Sequence, residues 1–264
     1  MAEKAILYDA TKCTACRGCQ AACKEWNELK ADETVNTGSY ENPPDLTPRT
    51  WLKMRFNEVE TDNGLAWLFT RRACMHCTDA GCVKVCPTKA VYHHEELGFV
   101  AYNKEICSGC GYCVDACPFN VPRLEGNTLT GKKLMHKCVF CFDRVSNGLE
   151  PACVKTCPPG ALAFGDRSEM IDAADQRIAK LAEQGIEANL YGRNELQGLH
   201  VMYLLAYPVA DHKLPANPEV SPSVTLWKDI LHPVGYAAVG LVAAGLAMNY
   251  MVARVRMVKE KEGK

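Results

Sequence analysis

The chain lacks an excess of either charge: 30 Lys and Arg against 31 Asp and Glu leave a formal net charge of −1 over 264 residues. Without bulk positive charge it carries no electrostatic footprint for a nucleic-acid backbone. It also lacks a P-loop, a dinucleotide-binding glycine pattern and any nucleophile set beside a base, so no substrate chemistry of its own is visible. The first 25 residues hold no apolar core of the kind that opens a cleavable signal. The remaining composition, 48% hydrophobic and 23% charged, is that of a globular protein and excludes wholesale disorder.

What the chain has in excess is cysteine, 16 residues that fall into four groups of four. Cys13, Cys16, Cys19 and Cys23 follow a C-x2-C-x2-C-x3-C run. Cys74, Cys77, Cys82 and Cys86 have a wider middle gap, with Pro87 behind them. Cys107, Cys110, Cys113 and Cys117 repeat the tight run and are followed by Pro118. Cys138, Cys141, Cys153 and Cys157 carry eleven inserted residues in the middle and end at Pro158. No cysteine is left over.

Three chemistries compete for these thiols. Disulfides need an oxidising compartment and suitably separated, oriented partners, and three cysteines at x2 steps are too crowded to pair with one another. Zinc wants tetrahedral sulfur from two separated C-x2-C knuckles; the fourth group and loosely the second suit it, the triples do not. A loop with cysteine at every third position instead ligates three irons of one cubane, and the fourth cysteine, usually before proline, reaches the neighbouring cluster. Groups one and three carry that run whole, with Lys24 in place of the proline in group one. Four [4Fe–4S] clusters are therefore expected, and folding should be coupled to their insertion. Cross-ligation makes the groups work in pairs, but spacing leaves the pairing open. The intervals Cys86 to Cys107 and Cys117 to Cys138 are equal, and group one stands 50 residues apart from group two.

Between the groups, Lys4–Tyr8 reads as a strand and Cys19–Lys30 as a helix able to cover a cluster with Trp26 and Leu29. Residues 31–50, with Pro43, Pro44 and Pro48, read as a surface loop, solvated or against a partner. Leu52, Met54 and Phe56 alternate with polar residues, and Asp62-Asn63-Gly64 turns the chain into Leu65–Arg71, a hairpin. Ala90–His94 and Phe99–Asn103 predict a second hairpin. Residues 166–184 predict an amphipathic helix with Met170, Ile171, Ala174, Ile178 and Leu181 on one side and Gly185 as its stop; Val201–Tyr207 predicts a strand. The fold class is α+β: small modules wrapped around clusters rather than any layered sheet.

Ile230 to Ala253 runs 24 residues without Asp, Glu, Lys or Arg. A helix of that length covers about 36 Å, enough for a hydrocarbon core of roughly 30 Å. Pro233 falls in its first turn, and Gly240/Ala244 and Ala243/Ala247 are small pairs that permit close helix approach. Arg254, Arg256, Lys259, Lys261 and Lys264 follow it, against Lys213 and Lys228 before it. The positive-inside rule then puts the tail in the cytoplasm and the cysteine domain outside, which conflicts with a chain that opens on no signal.

Among the histidines, His76 falls inside group two, where cysteines already fill the ligand places, and reads as a neighbour of the site or a surface residue. His232, at the membrane edge, could ligate a haem but reads rather as a satisfied interfacial residue, and His93 and His94 as turn residues. Lys84, Lys137, Lys155 and Arg144 lie near cysteines, where positive charge would favour a reduced cluster; most such lysines are simply solvated.

Cys107-Ser108-Gly109-Cys110-Gly111-Tyr112-Cys113, Cys117-Pro118-Phe119-Asn120-Val121-Pro122-Arg123, Glu150-Pro151-Ala152-Cys153-Val154-Lys155-Thr156-Cys157-Pro158 and Leu226-Trp227-Lys228 carry a family likeness. The chain resembles, over nearly its whole length, the iron–sulfur (beta) subunits of respiratory membrane-bound formate dehydrogenases, within the four-cluster electron-transfer subunits of molybdopterin oxidoreductases. The resemblance implies two ferredoxin-like lobes, residues 1–30 with 131–165 and residues 66–130. It leaves 31–65 as a loop and hairpin insertion, 166–229 as an extension, 230–253 as a transmembrane helix and 254–264 as a basic tail. It implies one cluster on Cys13, Cys16, Cys19 and Cys157 and its lobe-mate on Cys138, Cys141, Cys153 and Cys23. A third would sit on Cys74, Cys77, Cys82 and Cys117 and a fourth on Cys107, Cys110, Cys113 and Cys86. The implied role is a non-catalytic wire between a molybdenum or tungsten bis-pterin catalytic subunit and a cytochrome b-type membrane partner that reduces quinone. Export would ride on the catalytic subunit's twin-arginine signal, which resolves the conflict over the missing leader. An equivalent wire of a membrane hydrogenase or a sulfur-compound reductase is the alternative.

Overall fold

The computed structural model describes residues 3–61, 64–126, 131, 133–226 and 230–262. Of the features read from the sequence, Asp62 and Asn63 of the first turn, Trp227 and Lys228 before the anchor, and Lys264 lie outside them. The chain forms two units, Met1–Val220 and Ser221–Lys264.

In the first unit β1 (Lys4–Asp9) leads to α1 (Gly18–Trp26), and the hairpin β2 (Lys53–Thr61) and β3 (Gly64–Arg72) follows. Next come α2 (Gly81–Lys84), the hairpin β4 (Val91–His93) and β5 (Val100–Tyr102), and α3 (Tyr112–Asp115). A third hairpin, β6 (Arg123–Gly126) and β7 (Lys133–His136), precedes α4 (Phe142–Val145) and α5 (Ala152–Lys155). The unit closes with β8 (Leu162–Asp166), α6 (Arg167–Ala182), β9 (Asn189–Tyr191) and β10 (Val201–Leu205).

A layered sheet is present, contrary to the sequence expectation. Its order is β8-β1-β10-β9, with β1 parallel to β10 (Ile6 opposite Val201) and antiparallel to β8 (Lys4 opposite Asp166). The period-two alternation of a strand gives its faces different tasks. Ala5, Leu7, Met202 and Leu204 pack with Ala174 and Leu181 of α6. Ile6, Tyr8, Val201 and Tyr203 share a core with Cys19, Cys23, Cys138 and Cys153. The sheet escaped notice because Ala5–Asp9 and Val201–Leu205 are buried on both faces, so they show no alternation, and nearly 200 residues separate the paired strands.

The predicted helix over 166–184 is α6, opened by a capping box between Asp166 and Glu169 and ended at Gly185 with φ +74°. The first helix is shorter than expected: Asn27 caps it, its side chain donating to Cys23 O at 2.8 Å. Trp26 does not cover a cysteine cavity. It is 43% exposed, donates from Nε1 to Asp143, and lies under the Arg144 guanidinium.

The hairpin β2–β3 docks on the sheet through two tyrosines. Tyr8 donates to Phe69 O at 2.8 Å and Tyr203 to Arg71 O at 2.5 Å, their rings edge to face 5.2 Å apart. Residues 31–50 are irregular as read, yet Leu46 and Thr50 are buried and Asp45 pairs with both Arg72 and Arg123. That loop is a strap between the hairpin and the third cysteine group.

In the second unit α7 (Pro222–Leu226) precedes α8 (His232–Glu262). His232–Val258 is long and apolar enough to cross a membrane and is wholly exposed. The helix outruns the predicted apolar span because Arg254 and Arg256 are good helix formers that extend it.

Candidate iron–sulfur centres

The four C-x-x-C turns share one backbone device. The residue before the second cysteine has a positive φ in every case: Ala15 (+52°), His76 (+49°), Gly109 (+71°) and Phe140 (+60°). That twist folds the peptide back over the first sulfur, so Ala15 N–H donates to Cys13 Sγ at 3.4 Å and Phe140 N–H to Cys138 Sγ at 3.5 Å. Only one of the four is glycine, and there a Cβ would meet Lys133 O at 2.2 Å. A non-glycine residue in this region costs about 1–3 kcal/mol. Such strain persists where the surroundings hold it in place.

The cysteines then meet across the chain. Cys13, Cys16, Cys19 and Cys157 line one cavity, Cys23, Cys138, Cys141 and Cys153 a second, and Cys86, Cys107, Cys110 and Cys113 a third. Every cavity takes three sulfurs from one group and one from another. Cys74, Cys82 and Cys117 lie close enough to Cys77 for their charges to act on it. The helices show the same pairing: α1, which bears Cys19 and Cys23, packs on α5 with Cys153, and α2 with Cys82 packs on α3 with Cys113.

Among the described residues no three His, Cys, Asp or Glu side chains converge to hold a single ion. A structural zinc would draw four ligands to a point about 2.3 Å from each sulfur; here the sulfurs surround a volume instead. Burial pushes the Cys19, Cys113 and Cys141 thiols up to about 12 and Cys74 up to about 11. At neutral pH they are protonated without iron, so metal loading must release their protons and is linked to folding.

Three buried side chains complete the region. Arg71, 1% exposed, lines the cavity of Cys23, Cys138, Cys141 and Cys153, and its Nε, Nη1 and Nη2 have no hydrogen-bond partner. An orphaned guanidinium facing thiols fits an anionic group in that cavity. Lys137, also 1% exposed, donates from Nζ to Val100 O at 2.7 Å and Cys138 O at 3.0 Å. Of the basic residues expected near cysteines, this one is not solvated. His76 is not at the surface either: it is fully buried against Phe140 and Phe99, and burial holds its imidazole well below the usual range. The remaining basic candidates do lie outward, Lys84 paired with Asp79 and Lys155 beside Trp26. Arg71 was missed because, three residues before Cys74 and followed by Arg72, it reads as the polar end of a strand.

The 4Fe-4S dicluster domain matches twice, over residues 12–90 and 65–167, and the formate dehydrogenase N transmembrane family matches residues 220–262. The nitrate-inducible formate dehydrogenase iron-sulfur subunit of Escherichia coli (strain K12) is 44% identical over 95% of this chain and 85% of its own length. The chain belongs to the formate dehydrogenase iron–sulfur subunits. As such it is an electron-transfer subunit rather than a catalytic one, with four [4Fe–4S] clusters and a single membrane anchor. The formate dehydrogenase 2 subunit beta (cytochrome c-553) of Nitratidesulfovibrio vulgaris is 41% identical over 77% of this chain and 93% of its own length. The Hydrogenase-2 operon protein HybA of Escherichia coli O157:H7 is 31% identical over 88% of this chain and 81% of its own length.

Proposed function

We propose that Cys13, Cys16, Cys19 and Cys157 hold one cluster and Cys138, Cys141, Cys153 and Cys23 its lobe-mate. Cys74, Cys77, Cys82 and Cys117 hold a third, and Cys107, Cys110, Cys113 and Cys86 a fourth. The observation that carries this reading is that each of three of these four sets lines one cavity, three cysteines from one group meeting one from another. Residues 1–30 with 131–165 then form one lobe and 66–130 the other, in keeping with the packing of α1 on α5 and α2 on α3.

The clusters supply one-electron chemistry; the chain supplies spacing, insulation and local charge. The electrons come from a catalytic subunit that oxidises formate at molybdenum or tungsten bis-pterin and go to a cytochrome b-type subunit that reduces quinone. Arg254, Arg256, Lys259, Lys261 and Lys264 favour a cytoplasmic tail and a cluster domain on the outer, periplasmic face. Export of the folded domain would depend on the catalytic subunit's signal.

The purified iron–sulfur subunit should contain about 16 iron and 16 sulfide, with visible absorbance that dithionite bleaches. Stoichiometric zinc without that absorbance would reject the reading. Deleting residues 230–264 should release the chain from membranes; unchanged retention would remove the anchor. The likeness to HybA favours a hydrogenase wire as the second reading. A co-purifying large subunit that reduces dye with hydrogen and not with formate would establish it.

A further inference from the structure

Arg71 is a permanent cation that meets no carboxylate among the described residues. It is 1% exposed, none of its three guanidinium nitrogens has a hydrogen-bond partner, and among the described residues no carboxylate pairs with it. A fold does not bury an unpaired charge without a counter-charge. Cys153, Tyr203, Cys138 and Cys19 lie close enough for any charge on them to act on it. Cys138 and Cys153 belong to the cavity that Arg71 lines, and Cys19 to the neighbouring cavity. The backbone that carries it is fixed, because Arg71 O accepts the Tyr203 hydroxyl at 2.5 Å.

We infer that Arg71 is the internal counter-ion shared by the two clusters of the lobe built from groups one and four. Its unpaired N–H groups donate to sulfur in the cavity of Cys23, Cys138, Cys141 and Cys153, and its charge raises the reduction potential of both clusters. The inference rests on the ligand sets proposed above. One-electron reduction, fed by formate oxidation in the partner, adds one negative charge beside Arg71 and no proton, so the fixed cation favours the reduced form. Local charge and hydrogen bonds to sulfur are what set such potentials. The cavity of Cys86, Cys107, Cys110 and Cys113 has no charged residue among its described lining and makes an internal reference.

The experiment is a redox titration of the detergent-solubilised complex, followed by electron paramagnetic resonance, for the wild type, Arg71→Met and Arg71→Lys. The steps are assigned by which of them Cys16→Ser and Cys141→Ser variants alter, one ligand from each cluster of the lobe. With iron at the wild-type level, Arg71→Met should shift two of the four steps to lower potential and leave the other two in place. Arg71→Lys keeps the charge but loses the fork, and should shift the same two by less. Four unmoved steps at full iron content would overturn the inference, as would a shift confined to the other two clusters. If Arg71→Met instead loses iron, the loss should be confined to one lobe and be restored by Arg71→Lys. Iron loss spread over all four clusters, or not restored by lysine, would equally overturn it. A purified wild-type iron–sulfur subunit far from 16 irons would sink the ligand sets themselves, a separate failure.

Discussion

Two cavities, each ringed by four cysteines, differ in almost everything else. Cys23, Cys138, Cys141 and Cys153 are all buried, and their cavity is closed by Ile6 and Leu52 with Arg71 in its wall. At the other, Cys110 is exposed, Cys86 and Cys107 are partly so, and the wall is Val91, Leu124 and Met135. The first carries its counter-charge inside the protein; the second stands close enough to water for solvent to supply it. Identical ligand chemistry can thus be given different electrostatic surroundings by the packing behind the loops, and that is how one sequence repeat can make electron carriers that are not equivalent.

The comparison is broken most severely by removing a ligand on each side. Cys138→Ser should lose about four of the sixteen irons and destabilise the whole first unit, because Cys138 sits in the main core. Cys110→Ser, at an exposed position, should leave the other three clusters and the folded unit intact. Iron and sulfide per chain, with a thermal melt, check both.

The turns give the next effect. Gly109→Ala places a Cβ 2.2 Å from Lys133 O at φ +71° and should destabilise by at least about 1–3 kcal/mol. Phe140→Gly relieves the same backbone strain yet deletes a buried ring, so a loss of about 3–5 kcal/mol should dominate. Calorimetry of the complex would show whether strain or packing governs each turn.

A smaller effect separates the buried cations. Lys137 acts on Cys74, Cys82 and Cys117, so Lys137→Met should lower the potential of that cluster. The cluster at Cys86, Cys107, Cys110 and Cys113 should not move, as redox titration would show.

The smallest concerns the strap. Burial pulls the Asp45 carboxyl up, but Arg72 and Arg123 beside it prevail and hold it down at about 2. A carboxyl held low in the fold stabilises above its ordinary value near 3.9. That contribution is lost as the pH falls from there through about 2. Asp45→Asn should therefore flatten the loss of thermal stability between pH 4 and pH 2, by an amount that solvent keeps small at so exposed a side chain.

How much could be read in advance varied with the kind of signal. The hairpin β2–β3 announced itself by alternation towards its turn, and α6 by its period and its Gly185 stop. The sheet β8-β1-β10-β9 did not, since its central strands are buried on both faces and pair across most of the chain. The sixteen cysteines were legible from spacing alone. Arg71, Lys137 and His76 were not: a basic residue near a cysteine reads the same whether it faces solvent or a closed cavity.

What the sequence by itself determined is the chemistry of the ligands and the presence of an anchor, because thiol spacing and an uncharged run of helix length are local properties. Only the tertiary structure decided which thiols share a cavity and which of them face a buried cation. Those depend on how α1 meets α5, how α2 meets α3, and where Tyr8 and Tyr203 hold the second hairpin. Electrostatic environment is a property of what surrounds a group in space, and no stretch of contiguous sequence carries it.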